Sequence, residues 1–140
     1  MIQNILLATD GSAAAERAAD YAASLAIRFL GKVTVLHAYT PVPGHLGEPN
    51  YNRALYENLG EARSVVERAA ARLRALGVSE VETDLVEGPP ANVILGVAET
   101  RQPDLIVIGA RGLSTWQGML MGSVSLAVTQ RTERPVLVVK

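Results

Sequence analysis

Short apolar runs alternate with helix-like segments along this chain. The first run, Ile5–Ala8, ends at turn residues, which is typical of a buried parallel strand. From Ser12 to Leu30, alanines and larger apolar residues recur at helical spacing, with Ser12 as the expected N-cap and Gly31 as the expected terminator. The chain therefore begins with a predicted strand and a predicted helix, whose many alanines would let it lie close against a sheet.

The same alternation continues to the last residues. Further strands are predicted at Val33–Ala38, Val81–Val86, Leu105–Ile108 and Pro135–Val139, and further helices at Arg53–Leu76, Pro90–Thr100 and Val124–Arg131. Val81–Val86 alternates apolar and polar residues, which indicates a strand near a sheet edge, whereas the wholly apolar Leu105–Ile108 indicates a central strand. Prolines and glycines in Thr40–Asn50 predict a loop without regular structure. We expect the chain to be mobile from Thr40 to Asn52.

Strands of this kind, alternating with helices, predict an open α/β sheet covered by helices on both faces. The chain has 140 residues, of which 49% are hydrophobic and 19% charged, enough apolar surface to form one core without help from a partner. We therefore expect a single domain over residues 1–140.

Charge and composition exclude several classes of function. Lys and Arg number 13 against 14 Asp and Glu, so no long-range positive field is available to hold a nucleic acid or an anionic membrane. The absence of cysteine excludes disulfides and thiolate chemistry. No apolar run approaches the roughly 20 residues that span a bilayer, and Met1–Asn4 carries no basic leader, so we expect a cytoplasmic protein.

Two loops after strands carry the candidate chemistry, because ligands of open α/β sheets bind beyond the carboxyl ends of the strands. Thr9–Ser12 offers a carboxylate and two hydroxyls, and Gly109–Gly112 is followed after nine residues by Gly122–Ser125. Glycines permit close approach of a ligand or positive φ, and a glycine and serine just ahead of a helix predict an anion site. The glycines alone are equally consistent with simple turns.

The spacing Gly-x2-Gly-x9-Gly-Ser resembles the nucleotide-binding signature of the universal stress protein family, in its ATP-binding branch. The stretches Ile5–Ser12 and Arg134–Val139 are also similar to the two ends of that family, so the resemblance covers the chain. It implies a parallel sheet of order 3-2-1-4-5, in which the two candidate loops face one cleft. The family often has proline at the position of Ala8, so the entrance to that cleft is expected to differ in detail here.

The resemblance also implies the ligand and the residues around it. The ligand would be ATP, or AMP or ADP, with any Mg²⁺ held mainly by the phosphates. Asp10 would lie near the ribose and phosphates, the backbone at Ala38 near adenine, Gly109 and Gly112 along the ribose and phosphate path, and Gly122–Ser125 around the phosphates. The full implied set is Ala8, Thr9, Asp10, Ala38, Ile108, Gly109, Arg111, Gly112, Gly122, Ser123, Val124 and Ser125.

Several of these residues have alternative roles. Asp10 could bind ribose hydroxyls or act through Mg²⁺, or it could only cap the first helix. Arg111 could neutralise phosphate or remain solvated. His37 and His45 have no catalytic neighbour at a meaningful spacing, so a structural or surface role is favoured for both. Trp116–Met121 could form a lid, a contact surface or a short packed helical turn.

The leading functional hypothesis is a regulatory, stress-related protein whose ATP occupancy alters its shape or its protein partner, which the sequence does not identify. An ATPase or nucleotidyl-transferring enzyme is the rival, but the chain lacks a P-loop lysine and an evident general base, so we predict no catalytic residue and at most slow hydrolysis. A nucleotide-free interaction module is the third alternative. The resemblance places the apolar strand Pro135–Val139 at a sheet edge, and from this we predict a homodimer that pairs through that edge.

Overall fold

Parallel strands and helices alternate throughout the computed structural model, which describes residues 1–42, 44–113 and 121–140, without the side chain of Leu46. The alternatives predicted for Trp116–Met121 lie outside these residues, except at Met121. The elements are β1 (Asn4–Ala8), α1 (Ala13–Phe29), β2 (Lys32–Tyr39), a 3-10 helix (Gly44–Leu46), α2 (Asn50–Leu76), β3 (Glu80–Glu87), α3 (Pro90–Arg101), β4 (Leu105–Gly109), α4 (Ser123–Arg131) and β5 (Val136–Val139).

The five strands form one parallel sheet of order β3-β2-β1-β4-β5, which confirms the predicted fold class and strand order. In the register, Ala8 of β1 lies between Leu36 of β2 and Ile108 of β4. The winding direction of the chain reverses between β1 and β4, so the carboxyl ends of these two strands border the crevice where such sheets bind ligands. The edge position predicted for the third strand and the interior position predicted for the fourth are both confirmed.

Side chains of the sheet alternate between two apolar cores, because successive residues of a strand point to opposite faces. Leu7 of β1 packs with the alanines of α1 and with α2 on one face, and Leu6 packs with α3 and α4 on the other. The seven buried residues of α1 are all alanine. This lets α1 approach so closely that a Cβ at Gly109 would lie 3.0 Å from backbone atoms of Ala14 and Ala15.

The first helix begins as predicted but ends differently. Ser12 is its N-cap, since the Ser12 hydroxyl accepts the Ala15 N–H at 3.2 Å. The left-handed residue that ends α1 is Leu30, with φ 54°, and not the predicted Gly31. Glycine is needed at position 31 for another reason, because a Cβ there would lie 2.9 Å from the Gln3 carbonyl oxygen.

The segment between β2 and α2 is more regular than its composition predicts. A 3-10 helix occupies Gly44–Leu46, and α2 begins at Asn50 instead of Arg53. Pro49 is the N-cap of α2, a place where proline costs no helical hydrogen bond because the first amides of a helix have no intrahelical acceptor. The expectation that Thr40–Asn50 lacks regular structure is therefore wrong, while its mobility stays a prediction.

The long helix α2 is amphipathic, with Ala62, Val66, Ala70 and Leu73 buried against the sheet and α1. Its other face is exposed and carries charged residues such as Glu61, Arg63 and Glu67. Among the helices of residues 1–42, 44–113 and 121–140, none is long and apolar enough to cross a membrane.

Candidate functional site

A cavity of about 500 Å³ lies at the carboxyl ends of β1 and β4, and we call it the cleft. Its volume falls in the range typical of small-molecule sites. The twelve residues implied by the family resemblance all line it: Ala8, Thr9, Asp10, Ala38, Ile108, Gly109, Arg111, Gly112, Gly122, Ser123, Val124 and Ser125. The fold thus brings both candidate loops to one place, although their contact with a ligand stays a prediction.

Eight further residues line the cleft and were not in the predicted set: Ser12, Ala15, Leu36, His37, Thr40, Pro90, Ile94 and Leu113. Leu36 could have been found from the sequence, because it precedes Ala38 by two residues in the predicted strand and therefore points to the same face. Pro90 and Ile94 come from α3, whose position over the cleft depends on the three-dimensional arrangement and leaves no local signal. Together with Ile108 they give the cleft an apolar wall.

Asp10 joins the two loops of the cleft. Its Oδ1 accepts the Ser12 N–H at 3.0 Å, and its Oδ2 accepts the Leu113 N–H at 3.0 Å. Asp10 therefore bonds the start of α1 without being its N-cap. Each carboxylate oxygen has a second lone pair, so Asp10 can still accept hydrogen bonds from a ligand hydroxyl.

Two glycines of the signature allow other parts of the protein to pack closely against the end of β4 and the loop after it. A Cβ at Gly112 would overlap Asp10 Oδ2, and Gly109 adjoins α1 as described above. Neither takes positive φ, and Gly122 has φ −78°; the positive φ of this region belongs to Gly11, at 80°. The expected close approach is thus to protein atoms at positions 109 and 112, and the expected positive φ is not found at any of the three.

The start of α4 presents several amides to the cleft. Gly122 is the N-cap, and its own N–H donates to the Ala110 carbonyl at 2.5 Å. The first helical bond runs from Leu126 N–H to the Gly122 carbonyl at 3.0 Å. The amides of Ser123–Ser125 have no acceptor within the described part of the chain. Three N–H donors at the positive end of a helix form a suitable environment for an anion.

The two serines at the start of α4 differ in what they can offer. Ser125 is only 2% exposed, and its hydroxyl donates to the Ala110 carbonyl at 2.7 Å, so its amide is the group left for a ligand. Ser123 is exposed, and its hydroxyl has no partner among the described residues. Ser123 is therefore the serine whose side chain is available at this helix end.

His37 on β2 holds the Thr9–Ser12 loop, which we call the first loop, through a hydrogen bond. Its Nδ1 lies 2.8 Å from the Thr9 carbonyl oxygen, and the Thr9 N–H donates to the Leu36 carbonyl at 2.9 Å. The Thr9 hydroxyl in turn accepts the Gly11 N–H at 3.2 Å. The favoured structural role for His37 agrees with this bond, but no sequence signal indicates that His37 also lines the cleft.

The charges around the cleft are few. Arg111 is exposed, and no carboxylate among the described residues pairs with its guanidinium. In the same part of the chain there is no group of three or more His, Asp or Glu side chains that could hold a metal ion. Asp10 and Arg111 are thus the charged side chains that a ligand in the cleft would meet.

The carboxylates with displaced pKa values lie outside the cleft. Two hydrogen bonds from Arg72, at 2.6 and 2.8 Å, lower the pKa of Asp20 and join α1 to α2. A hydrogen bond from Arg101 lowers the pKa of Glu82 on β3. Amides at the start of β1 lower the pKa of Asp104. These ion pairs and hydrogen bonds connect elements of the fold, and their side chains do not line the cleft.

Comparison with known proteins places this geometry in a family. The model of the universal stress protein family matches residues 1–140. The chain is 41% identical over 140 residues to the universal stress protein in the QAH/OAS sulfhydrylase 3'region of Thermus aquaticus, with all of both chains covered.

Solved structures agree in fold. A universal stress protein from Archaeoglobus fulgidus in complex with dAMP superposes with a TM-score of 0.77 at 28% identity, covering 100% of both chains. A universal stress protein in complex with cAMP gives a TM-score of 0.77 at 30% identity, covering 99% of this chain and 97% of the other. By the match over its whole length, this chain belongs to the universal stress protein family.

Proposed function

We propose that this protein binds an adenine nucleotide, ATP, ADP or AMP, in the cleft and acts as a regulatory protein whose nucleotide occupancy alters its shape or partners. One observation carries the proposal: an apolar wall, a carboxylate and a set of open helix-end amides surround a single cavity of about 500 Å³. These three environments match the three chemical parts of a nucleotide, which are an aromatic base, a hydroxylated sugar and an anionic phosphate chain.

Each part of the nucleotide has a matching position. The base would lie against Leu36, Ile94 and Ile108, with the backbone at Ala38 within reach of its polar edge. The sugar hydroxyls would donate to Asp10, which repels phosphate but accepts from neutral hydroxyls. The phosphates would take the amides of Ser123–Ser125, as anions commonly do at helix N-termini.

Ligands of relatives support the same class of molecule. The Archaeoglobus fulgidus protein holds dAMP, and a second solved relative holds cAMP. Both ligands carry adenine, a sugar and one phosphate, so the shared chemistry is that of an adenine nucleotide. We infer the same class for this chain because its twelve implied residues line one cavity.

A binding role is favoured over an enzymatic one. The chain has no Gly-x4-Gly-Lys-Ser/Thr motif, so it lacks the P-loop lysine that reaches the phosphates in many ATP-hydrolysing enzymes. With ATP bound, we expect Mg²⁺ to be held mainly by the phosphates and hydrolysis to be slow at most.

Mass spectrometry and calorimetry test the proposal. The protein, purified without added nucleotide, is denatured and its released small molecules are identified, and the emptied protein is titrated with Mg-ATP, ADP, AMP and, as a control, Mg-GTP. We expect adenine nucleotide in the first experiment and saturable binding with preference for adenine in the second. A folded, emptied protein that gives no heat with any adenine nucleotide at millimolar concentration would refute the proposal. If an adenine nucleotide does bind, turnover assays separate binding from hydrolysis.

We also propose a homodimer that pairs through β5. This strand is at the sheet edge, and Val136, Leu137 and Val138 are only half-buried in the single chain. Val138→Lys should shift the dimer towards monomer, with Gln130→Lys on the exposed face of α4 as a control that adds the same charge elsewhere. Light scattering at micromolar concentration measures the mass, with circular dichroism to verify folding. A monomeric wild-type protein would contradict this assembly.

A further inference from the structure

The hydrogen bond between His37 and the Thr9 carbonyl has a consequence for the cleft. We propose that His37 is a positioning residue, which fixes the Thr9–Asp10 peptide so that the Asp10 backbone N–H faces the cleft and donates to an oxygen of the bound nucleotide. This inference rests on the proposed nucleotide function and adds a residue that the glycine signature does not contain.

The tautomer of His37 follows from its partner. A backbone carbonyl has no hydrogen to give, so Nδ1 must carry the hydrogen across the 2.8 Å bond to the Thr9 oxygen. Nδ1 is a donor in the imidazole with this tautomer and also in the imidazolium. The bond therefore does not depend on the charge of the ring.

Peptide geometry connects this bond to Asp10. The Thr9 carbonyl and the Asp10 N–H belong to one planar trans peptide, and the two groups point in opposite directions. Because the carbonyl points to His37, the N–H points away from His37. Asp10 itself lines the cleft, and its N–H has no acceptor in the described part of the chain.

The Asp10 amide differs from its neighbours in the Thr9–Ser12 loop. The neighbouring amides have acceptors within the protein, as most buried backbone N–H groups do. Thr9 N–H donates to the Leu36 carbonyl, Gly11 N–H to the Thr9 hydroxyl, and Ser12 N–H to the Asp10 carboxylate. The Asp10 amide is the exception, and the acceptor we assign to it is a sugar hydroxyl or phosphate oxygen of the nucleotide.

His37 is the group that sets the orientation of this peptide. Within the described residues, the Thr9 carbonyl has no other donor. Without the imidazole, the carbonyl could turn towards water and the Asp10 N–H would turn with it. The loss expected is that of one hydrogen bond to a charged or polar ligand group, roughly three- to tenfold in affinity.

Two isosteric variants separate this role from others. Asparagine places a side-chain amide N–H at the position of Nδ1, whereas glutamine places one near Nε2, which has no partner among the described residues. We therefore expect His37→Asn to bind the nucleotide within about twofold of the wild type, and His37→Gln and His37→Ala to lose roughly three- to tenfold. Calorimetric titration with AMP and with Mg-ATP measures the affinities, with thermal unfolding to verify that the variants fold.

Nuclear magnetic resonance provides a readout that needs no variant to fold. In the wild-type protein, ¹⁵N spectra should show a protonated Nδ1 for His37, and nucleotide should shift the Asp10 amide proton downfield. A protonated Nε2 with a bare Nδ1 would overturn the inference, as would an Asp10 amide that does not respond to saturating nucleotide.

The outcomes distinguish this inference from the proposed function. A wild-type protein that binds no adenine nucleotide overturns both. Wild-type binding with all three variants equal to the wild type overturns the role of His37 alone. Wild-type affinity in His37→Gln but not in His37→Asn also overturns it, because His37 would then act through Nε2 on the ligand. Affinity close to the wild type in His37→Asn alone supports the positioning role.

Discussion

The two ends of the sheet treat their backbone amides in opposite ways. At the amino end, the N–H groups of Gln3 and Asn4 both donate to Oδ2 of Asp104, at 2.9 and 2.8 Å. At the carboxyl end, the amides of Asp10 and of Ser123–Ser125 have no acceptor among the described residues. Both ends are built from the same kinds of elements, strands of one parallel sheet and the loops that join them to helices.

The difference comes from which side chains stand next to the amides. An aspartate at the amino end accepts two N–H groups and joins β1 to the turn before β4. At the carboxyl end, glycines at 109 and 112 let α1 and Asp10 come close, while Gly122 offers no side chain that could cap α4. One end is therefore closed by the protein itself, whereas the other leaves its donors for a ligand.

The largest expected effect is at Gly122. Gly122→Val should abolish nucleotide binding while the fold survives, because φ −78° and ψ 167° are accessible to valine but the branched side chain would occupy the space before the α4 amides. The loss of affinity should exceed a hundredfold. Ser123→Ala removes one exposed hydroxyl and leaves the amides, so it should cost about tenfold to a hundredfold. Calorimetric titration with Mg-ATP measures both.

A glycine that does not line the cleft provides the matched control for this pair. Gly96 lies on an exposed position of α3, and a Cβ there would meet nothing within 4 Å, so Gly96→Val should leave the nucleotide affinity unchanged. Circular dichroism verifies the fold of each variant. If folded Gly122→Val binds ATP like the parent, the phosphates do not lie at the start of α4.

A smaller effect is expected at Gly112. A methyl group at this position would overlap Asp10 Oδ2, so Gly112→Ala should displace the carboxylate from the Leu113 amide and from the sugar. The loss should be about tenfold in nucleotide affinity. The mechanism predicts a double-mutant result: in an Asp10→Ala background, Gly112→Ala should cost little. Additive losses would mean that Gly112 acts independently of Asp10. Gly44→Ala is the control, because a Cβ at Gly44 in the 3-10 helix would meet nothing within 4 Å.

Much of the fold could be predicted from the sequence, because the pattern of apolar residues is local. The wholly apolar Leu105–Ile108 is an interior strand, and the alternating Val81–Val86 is part of an edge strand. Apart from the start of α2, the predicted bounds agree with the structure to within one residue. Leu30 could not be predicted as the cap of α1. The neighbouring Gly31 is needed because the Gln3 carbonyl lies close to it, and this contact joins distant parts of the chain.

The candidate site divides in the same way. The loops after β1 and β4 could be found because glycines and polar residues follow apolar runs. Pro90 and Ile94 could not, since their place at the cleft depends on how α3 crosses the sheet. His37 was missed as a cleft residue because its partner is a backbone carbonyl, which leaves no mark in the sequence. Residues that act through backbone groups are invisible to motif-based prediction.

The smallest expected effect is at the closed end of the sheet and leaves the cleft unchanged. Hydrogen bonds from the Gln3 and Asn4 amides lower the pKa of Asp104, so its carboxylate stabilises the fold above the unfolded-state pKa of about 4, and this stabilisation is lost as pH falls through the lower folded-state pKa. Asp104→Ala should therefore reduce the free energy of unfolding by about 1 kcal/mol at pH 7, a modest amount because water reaches the site, and by less near pH 2. Asp104→Asn keeps an acceptor but no charge, so at pH 7 its free energy of unfolding should lie between those of the wild type and Asp104→Ala. Urea denaturation at both pH values measures the difference, and calorimetry should show unchanged affinity for Mg-ATP. A loss of nucleotide affinity without a loss of stability would contradict the division between a closed and an open end.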